Sequence, residues 1–274
     1  MRSLRQMTDV MLHRGPDGSG YEIIEKNKYQ LGLGHRRLSI IDLSKTGTQP
    51  MLYKKYWICF NGEVYNYNEI KNELERLGHQ FKSTSDTEVV LRAYVQWGSS
   101  CLEKFIGMFA FVIYNSNSGD IFCARDRAGV KPFYYYINDG LFLFSSELKS
   151  FHQHPRFEKK LNLSSVSSFM QYGNVPTPHC IFQDCFKLKP GHFMAFNIEK
   201  DIDIEQLTPG HQKCYWNVYD SYNKPKLDLS FIEAKKQTEK ILKSACDYRM
   251  VSDVPVGVFL SGGYDSASVT ALLQ

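Results

Sequence analysis

Three consecutive residues, Asn61-Gly62-Glu63, carry an amide, a backbone N–H with no side chain beside it, and a carboxylate. Set at the end of a rigid element, such a tripeptide can aim all three groups at one small polar ligand. The run before it, Tyr56-Trp57-Ile58-Cys59-Phe60, is aromatic and β-branched and reads as a buried strand, and Ile70, Leu74 and Leu77 behind it have helical spacing. The tripeptide is therefore expected at a strand end. Alone it reads more simply as a turn, because Asn-Gly is the strongest short turn signal. A second stretch, Ser261-Gly262-Gly263-Tyr264-Asp265-Ser266, separates an apolar run from a helical pattern. Its two glycines let the backbone approach a bulky anion, the helix start directs unpaired N–H groups at it, and the serine hydroxyls add donors. That combination makes a phosphate cradle, with Asp265 available for Mg2+; a serine-capped turn is the plainer reading. No Walker lysine is present, so the expected chemistry is ATP split to AMP and pyrophosphate rather than hydrolysis at the γ-phosphate.

The elements that must hold these groups follow from periodicity. Leu4, Met7, Met11 and Leu12 recur at helical spacing, so the chain opens inside an amphipathic helix that ends before Gly15-Pro16-Asp17-Gly18. Strands are predicted over 21–25 and 29–34. Helices are predicted over 68–77 and from the capping-box pattern Ser85-Asp86-Thr87-Glu88 to Gly98. From Gly107 to Phe144 the period changes to 2, with runs at 108–114, 120–124, 132–137 and 141–144 divided by turn residues, which predicts an antiparallel meander. Further strands are predicted at 181–188 and 192–198. The whole indicates an α+β domain of stacked antiparallel sheets. Beyond a polar stretch come a helix over 231–250, a buried strand over 254–260 and a helix from about Asp265, the opening of a parallel α/β domain. The division expected is a first domain over 1–205, a linker over 206–229 and the start of a second domain over 230–274.

Composition removes several classes of function. The net charge is only +4 over 274 residues, and the one dense run, Glu158-Lys159-Lys160, is mixed in sign, so nothing calls for nucleic acid. The longest apolar runs fall far short of the roughly 18 residues a membrane helix needs. Arg2, Arg5 and Asp9 interrupt what would be the apolar region of a signal peptide. Seven cysteines, scattered and without a C-x-x-C pair, argue against zinc and against a disulfide framework, and for a reduced, cytoplasmic protein.

Several stretches match a known pattern together. Asn61-Gly62-Glu63-Val64-Tyr65-Asn66 is joined by His13-Arg14-Gly15-Pro16-Asp17-Gly18, Gly34-His35-Arg36-Arg37-Leu38-Ser39-Ile40 and Ser85-Asp86-Thr87-Glu88. Ala124-Arg125-Asp126 with Lys131-Pro132, and Ser145-Ser146-Glu147-Leu148-Lys149, complete the set. In this order they resemble the class II glutamine amidotransferase domain of asparagine synthetases, an Ntn-hydrolase-type fold. Asp253-Val254-Pro255-Val256-Gly257-Val258-Phe259-Leu260-Ser261-Gly262-Gly263 resembles the ATP-pyrophosphatase domain of the same family, so the likeness spans essentially the whole chain. The resemblance implies a glutaminase that releases ammonia from glutamine, joined to a synthetase that activates aspartate as β-aspartyl-AMP with ATP and Mg2+. It also implies a homodimer of the intact protein. Arg37 would hold the glutamine α-carboxylate by a bidentate pair, with the Ile40 backbone nearby, and Asp86 would hold the α-amino group. Glu63 and Gly62 would line the same pocket, and the Asn61 amide with the Gly62 N–H would form an oxyanion hole. Leu260, Ser261, Gly262, Gly263, Asp265 and Ser266 would bind ATP. Arg37 as a surface cation and Asp86 as a first-turn acid favoured by the helix dipole are the plainer readings, but a glutamine pocket needs both charges at once.

The pattern also breaks. The family's nucleophile is an N-terminal Cys whose own α-amine is the general base. Here Met1 is followed by Arg2 and Ser3, and none of Cys59, Cys101, Cys123, Cys180, Cys185, Cys214 or Cys246 has a free α-amine beside it. Cys59 and Cys123 read as core residues. The expectation is a fragment, lacking a first strand and most of the synthetase domain, with unpaired sheet edges and neither activity by itself. Two other readings stay open: an amidotransferase for another adenylated carboxylate, such as a sugar acid or a β-lactam precursor, and a non-catalytic, glutamine-binding pseudo-glutaminase.

Overall fold

In the computed structural model, residues 1–200 and 207–274 are described. The chain opens with helix α1 (Arg2–Asp9) and a hairpin of β1 (Gly18–Glu25) and β2 (Gln30–Arg37). Strand β3 (Met51–Tyr53) pairs with β4 (Tyr56–Val64), and helices α2 (Tyr67–Arg76), α3 (Asp86–Trp97) and α4 (Cys101–Lys104) follow. The meander β5 (Gly107–Asn115), β6 (Asp120–Arg125), β7 (Tyr134–Asn138) and β8 (Leu141–Ser145) leads to α5 (Leu148–Phe151) and α6 (Leu163–Tyr172). Strands β9 (Cys185–Lys187), β10 (His192–Asn197) and β11 (Lys213–Cys214) come next, then helices α7 (Val218–Tyr222), α8 (Phe231–Arg249) and α9 (Tyr264–Leu273). The boundary expected at 205/206 lies outside the described residues. No described helix is long and apolar enough to cross a membrane.

The described strands form a six-stranded antiparallel sheet in the order β11-β10-β6-β5-β4-β3, a three-stranded sheet β8-β7-β9, and the β1-β2 hairpin. Alternation along β5 shows how they stack. Phe109, Phe111 and Ile113 enter a core shared with Val89, Val90 and Leu91 of α3. Ala110, Val112 and Tyr114 enter a second core with Tyr135 and Ile137 of β7 and Met194 of β10. The run is apolar without a break because both faces are covered. Tyr136, the next residue of β7, turns away into a third core with Phe151 of α5 and Met7 of α1. The layers therefore run helix, sheet, sheet, helix, the stacked antiparallel arrangement expected from the sequence.

Strands β2 and β8 each end a sheet and border a groove of about 270 Å³ lined by Leu4, Met7, Gly32, Gly34, Leu143 and Phe144. Three local expectations need correction. Residues 254–260 form no strand, and Phe259 is 99% exposed. A buried parallel strand draws its ladder and cover from neighbouring units, and no described strand pairs with this segment. Within 181–188 only β9 is strand, because the chain turns at Asp184, which has φ 59°. The capping box expected at α3 does not form; Ser85 caps the second amide of the helix instead of the third. Ser85 Oγ accepts from Thr87 N at 3.2 Å, but the Ser85 N–H already goes to Ser83 Oγ at 3.3 Å. Glu88 instead collects the Lys82 and Ser83 N–H groups and pairs with Arg92 Nη2 at 2.7 Å, a richer set of donors than one cap N–H.

Candidate functional site

Asn61-Gly62-Glu63 lies within β4, paired with residues 108–110 of β5, and is not a turn. The ladder fixes where its backbone donor points. Asp126 N donates to the Phe109 carbonyl (2.8 Å) and Asp126 Oδ2 accepts from Phe109 N (3.2 Å), so the main chain of Phe109 faces β6 and not β4. Gly62, the residue opposite Phe109, must then turn its own N–H to the outer edge of β4, beyond the reach of β3. The flanking donors on that edge are capped by side chains: Phe60 N donates to Gln49 Oε1 (2.6 Å) and Val64 N to Asp86 Oδ2 (3.0 Å). The Gly62 N–H stands between them. Only glycine fits, because a Cβ here would overlap the Met108 carbonyl oxygen.

This edge borders a cavity of about 370 Å³. Every residue expected in the glutamine pocket lines it: Asn61, Gly62 and Glu63 from β4, Arg37 from the end of β2, Ile40 from the following loop and Asp86 from the start of α3. The Arg37 guanidinium donates through Nη1 to the Ser44 carbonyl (2.6 Å) and through Nη2 to the Asp42 carbonyl, which anchors the fork to its own loop. Its remaining N–H groups make no protein hydrogen bond among the described residues. Asp86 is buried, and burial pushes its carboxyl up to about 7, reinforced by the nearby Glu63 and opposed by the Val64 N–H and the first amides of α3. Burial likewise raises the Glu63 carboxyl and lowers the Lys131 ammonium, and each of these two charges partly offsets the shift of the other.

Motifs far apart in the chain meet at the rim. Glu147 Oε1 accepts from His13 Nε2 at 2.9 Å and Arg14 Nη1 at 3.2 Å, and Glu147 Oε2 lies 3.1 Å from Lys149 Nζ. Asn61 Nδ2 donates to Ser146 Oγ at 3.2 Å. Sequence reasoning gave no site role to His35, Gln49 or Lys131, all of which line the cavity. His35 sits two residues from Arg37 in β2, on the same face, and that spacing was the available signal. Its Nε2 lies 3.1 Å from the Phe60 carbonyl and its buried Nδ1 has no partner; burial holds the imidazole down at about 4, so it is neutral. No cysteine lines this cavity among the described residues. Cys59 borders an adjoining cleft of about 110 Å³ with its thiol pushed up by burial to about 12, and burial raises Cys123 as well, as expected of core residues.

The second stretch is assembled but open. Ser261 N donates to Ser266 Oγ at 3.3 Å and Ser266 Oγ to the Gly263 carbonyl at 3.1 Å, with Gly262 at φ 83° and α9 starting at Tyr264. Leu260, Ser261, Gly262, Gly263, Asp265 and Ser266 thus gather at one helix start away from the cavity, all exposed but the half-buried Ser266. No group of three or more His, Cys, Asp or Glu suited to a metal occurs among the described residues, so Asp265 offers a single carboxylate.

Comparison with known proteins gives the family and the fold. The glutamine amidotransferase domain family matches residues 1–211, and the asparagine synthase family matches residues 237–274. A putative glutamine-hydrolysing asparagine synthetase 2 of Methanocaldococcus jannaschii is 39% identical over 292 residues, covering 99% of this chain and 53% of that protein. Glutamine-hydrolysing asparagine synthetase 3 of Bacillus subtilis is 36% identical, over 99% of this chain and 42% of its own length. Amidase chry2 of Gibberella zeae is 33% identical, over 100% of this chain and 39% of its length. The chain therefore spans about half the length, or less, of the curated relatives it matches. Among solved structures, a glutamine phosphoribosylpyrophosphate amidotransferase from B. subtilis superposes with a TM-score of 0.52 at 16% identity, covering 98% of this chain and 60% of that one, which shows a shared fold.

Proposed function

This chain belongs to the glutamine amidotransferase family, and from that premise we propose that its cavity takes L-glutamine as the nitrogen donor of an ATP-dependent asparagine synthetase. One observation carries the reading: Arg37 and Asp86, a cation and an acid from different elements, line a single amino-acid-sized cavity together with Asn61, Gly62 and Glu63. The free N–H groups of the Arg37 fork suit an α-carboxylate, and Asp86 suits an ammonium, whose arrival would hold the buried carboxyl ionised. The Ile40 backbone and Glu63 complete that end. The carboxamide would then reach the Asn61 amide and the Gly62 N–H, two donors placed for an oxyanion, each typically worth about 3 kcal/mol of barrier.

The glutaminase chemistry that the family resemblance implies runs through a cysteine thiolate as the acyl acceptor. None of this chain's cysteines supplies one at the cavity, so the 274-residue chain is proposed to bind glutamine without forming glutamate. In the second part, the amides and hydroxyls of Ser261, Gly262, Gly263 and Ser266 fit a phosphate, Leu260 would flank the nucleotide, and Asp265 would face Mg2+. ATP would there activate the side-chain carboxyl of aspartate toward ammonia. The division into 1–205, linker 206–229 and 230–274 belongs to the same proposal and is supported by the two family matches that leave residues 212–236 between them. So do a cytoplasmic setting and a homodimer of the complete protein.

Calorimetric titration of the chain with L-glutamine tests the reading. Binding is expected, and 4-carbamoylbutyrate, which lacks the amino group, should bind at least about tenfold more weakly, as should glutamine to Asp86→Ala and Arg37→Ala. Absence of binding at millimolar L-glutamine would overturn the assignment.

A further inference from the structure

The loop that carries Ile40 and anchors Arg37 is gripped from outside by a residue with no role so far. Asp42 N donates to Asp253 Oδ2 at 2.7 Å, and Asp253 N donates to the Ile40 carbonyl at 2.9 Å. Asp253 therefore pairs with the loop through both its side chain and its backbone, across more than two hundred residues of chain. Asp42, the residue it grips, is the hub of the cavity's polar frame. Its carboxylate accepts from Ser44 N (3.0 Å), Ser44 Oγ (2.6 Å) and Thr46 Oγ1 (2.9 Å). It also accepts from Thr84 N at 3.2 Å, two residues before Asp86. Its carbonyl accepts from Arg37 Nη2. Asp42 adopts φ 57°, a left-handed conformation that aspartate reaches more readily than most residues because its carboxylate can accept a nearby backbone N–H, here that of Ser44.

We infer that Asp253 is a positioning residue for the cavity: by holding Asp42 and Ile40 it keeps the loop over 38–47, and with it Arg37, in place for the ligand's carboxylate. The inference rests on the glutamine reading of the cavity. The same segment has two further anchors, Tyr248 Oη donating to Glu69 Oε1 at 2.8 Å and Arg249 lying 5.5 Å over the Tyr65 ring, so the position of Asp253 is set by the end of α8 docking beside α2. Asp253 also stands at the head of the chain that leads directly to Ser261. The residues that order the cavity and those that would take phosphate are thereby connected by one short covalent segment.

The test compares the full chain with Asp253→Ala and Asp253→Asn. Loss of a charge-assisted bond at this exposed position should weaken L-glutamine affinity about five- to tenfold in Asp253→Ala. Asp253→Asn keeps an acceptor oxygen without the charge and should recover most of that loss. Amide hydrogen exchange over residues 38–47 should quicken in Asp253→Ala while the melting midpoint stays within about 2 °C, because the residue touches none of the three cores. In Asp253→Ala, unchanged exchange in that loop, or unchanged affinity alongside faster exchange, would refute the role; should that variant fail to fold, Asp253→Ser, whose shorter side chain also gives up the bond to the Asp42 N–H, takes its place with the same expected results. If the wild-type chain binds no glutamine, the reading of the cavity fails, and the exchange measurement still judges the latch.

Discussion

Affinity for L-glutamine should rise with pH between 5 and 8, and Asp86 sets the size of the effect. Its carboxyl is buried and titrates at about 7 in the free protein, against about 3.9 for an unperturbed aspartate. An ammonium pairs only with the ionised form, so below pH 7 binding must release a proton. If the bound ammonium pulls the carboxyl several units down, affinity scales with the ionised fraction of the free protein: about 0.9 at pH 8, about 0.1 at pH 6 and about 0.01 at pH 5. The dissociation constant should then be about tenfold larger at pH 6 than at pH 8, and about a hundredfold larger at pH 5. Glu63, also raised by burial, acts with the same sign. His35, held at about 4, stays neutral across the window and contributes nothing. Calorimetry in two buffers of different ionisation enthalpy counts the protons, and close to one should be released per glutamine at pH 6 and close to none at pH 8. A His13→Gln variant should keep the slope, which separates Asp86 from a histidine at the rim. A constant dissociation constant between pH 5.5 and 8, with no proton release, would show that Asp86 does not meet the ammonium.

The same carboxyl makes a prediction about stability. Its folded-state value lies above its unfolded one, so the native protein binds the proton more tightly, and stability falls as pH rises from about 4 to about 7 and stays lower above that. Asp86→Asn keeps an oxygen for the Val64 N–H and removes the buried charge, so thermal or urea unfolding at pH 8 should show a gain of about 1–3 kcal/mol together with lost glutamine binding; no gain, or a loss, would mean that the site does not strain Asp86. Gly62→Ala places a methyl against the Met108 carbonyl in the middle of the β4–β5 pairing, and urea unfolding should show about 1–3 kcal/mol of destabilisation with loss of glutamine binding. An alanine variant that binds normally would mean that the strand edge can give, and that the Gly62 N–H is not held in one place.

What could be read from the sequence depended on how local the cause was. The covered faces of β5 appear as an unbroken apolar run, and the hairpins appear as turn residues at regular spacing, because both follow from neighbours in the chain. The segment over 254–260 has the same apolar signature and forms no strand, since a ladder needs a partner that no residue of the segment can provide. Glu88 matched a capping box by spacing, yet three donors in the preceding loop and Arg92 outcompeted one backbone N–H. The cavity residues Arg37, Ile40, Asn61, Gly62, Glu63 and Asp86 were legible through the family resemblance, each beside a plainer local reading. What no spacing could show is how they are held. Gln49 caps the Phe60 N–H, the donor before that of Gly62 on the strand edge, Asp42 gathers the loops behind Arg37 and Asp86, and Asp253 grips Asp42 from the far end of the chain. These residues act on the main chain of others, and a side chain that recognises a backbone N–H leaves no pattern in its own sequence. The division has a physical basis: groups that would face the ligand are chosen for their chemistry and stand out by type. Groups that hold the frame are chosen for position alone, and the frame decides whether a cation and an acid far apart in the chain can act on one molecule.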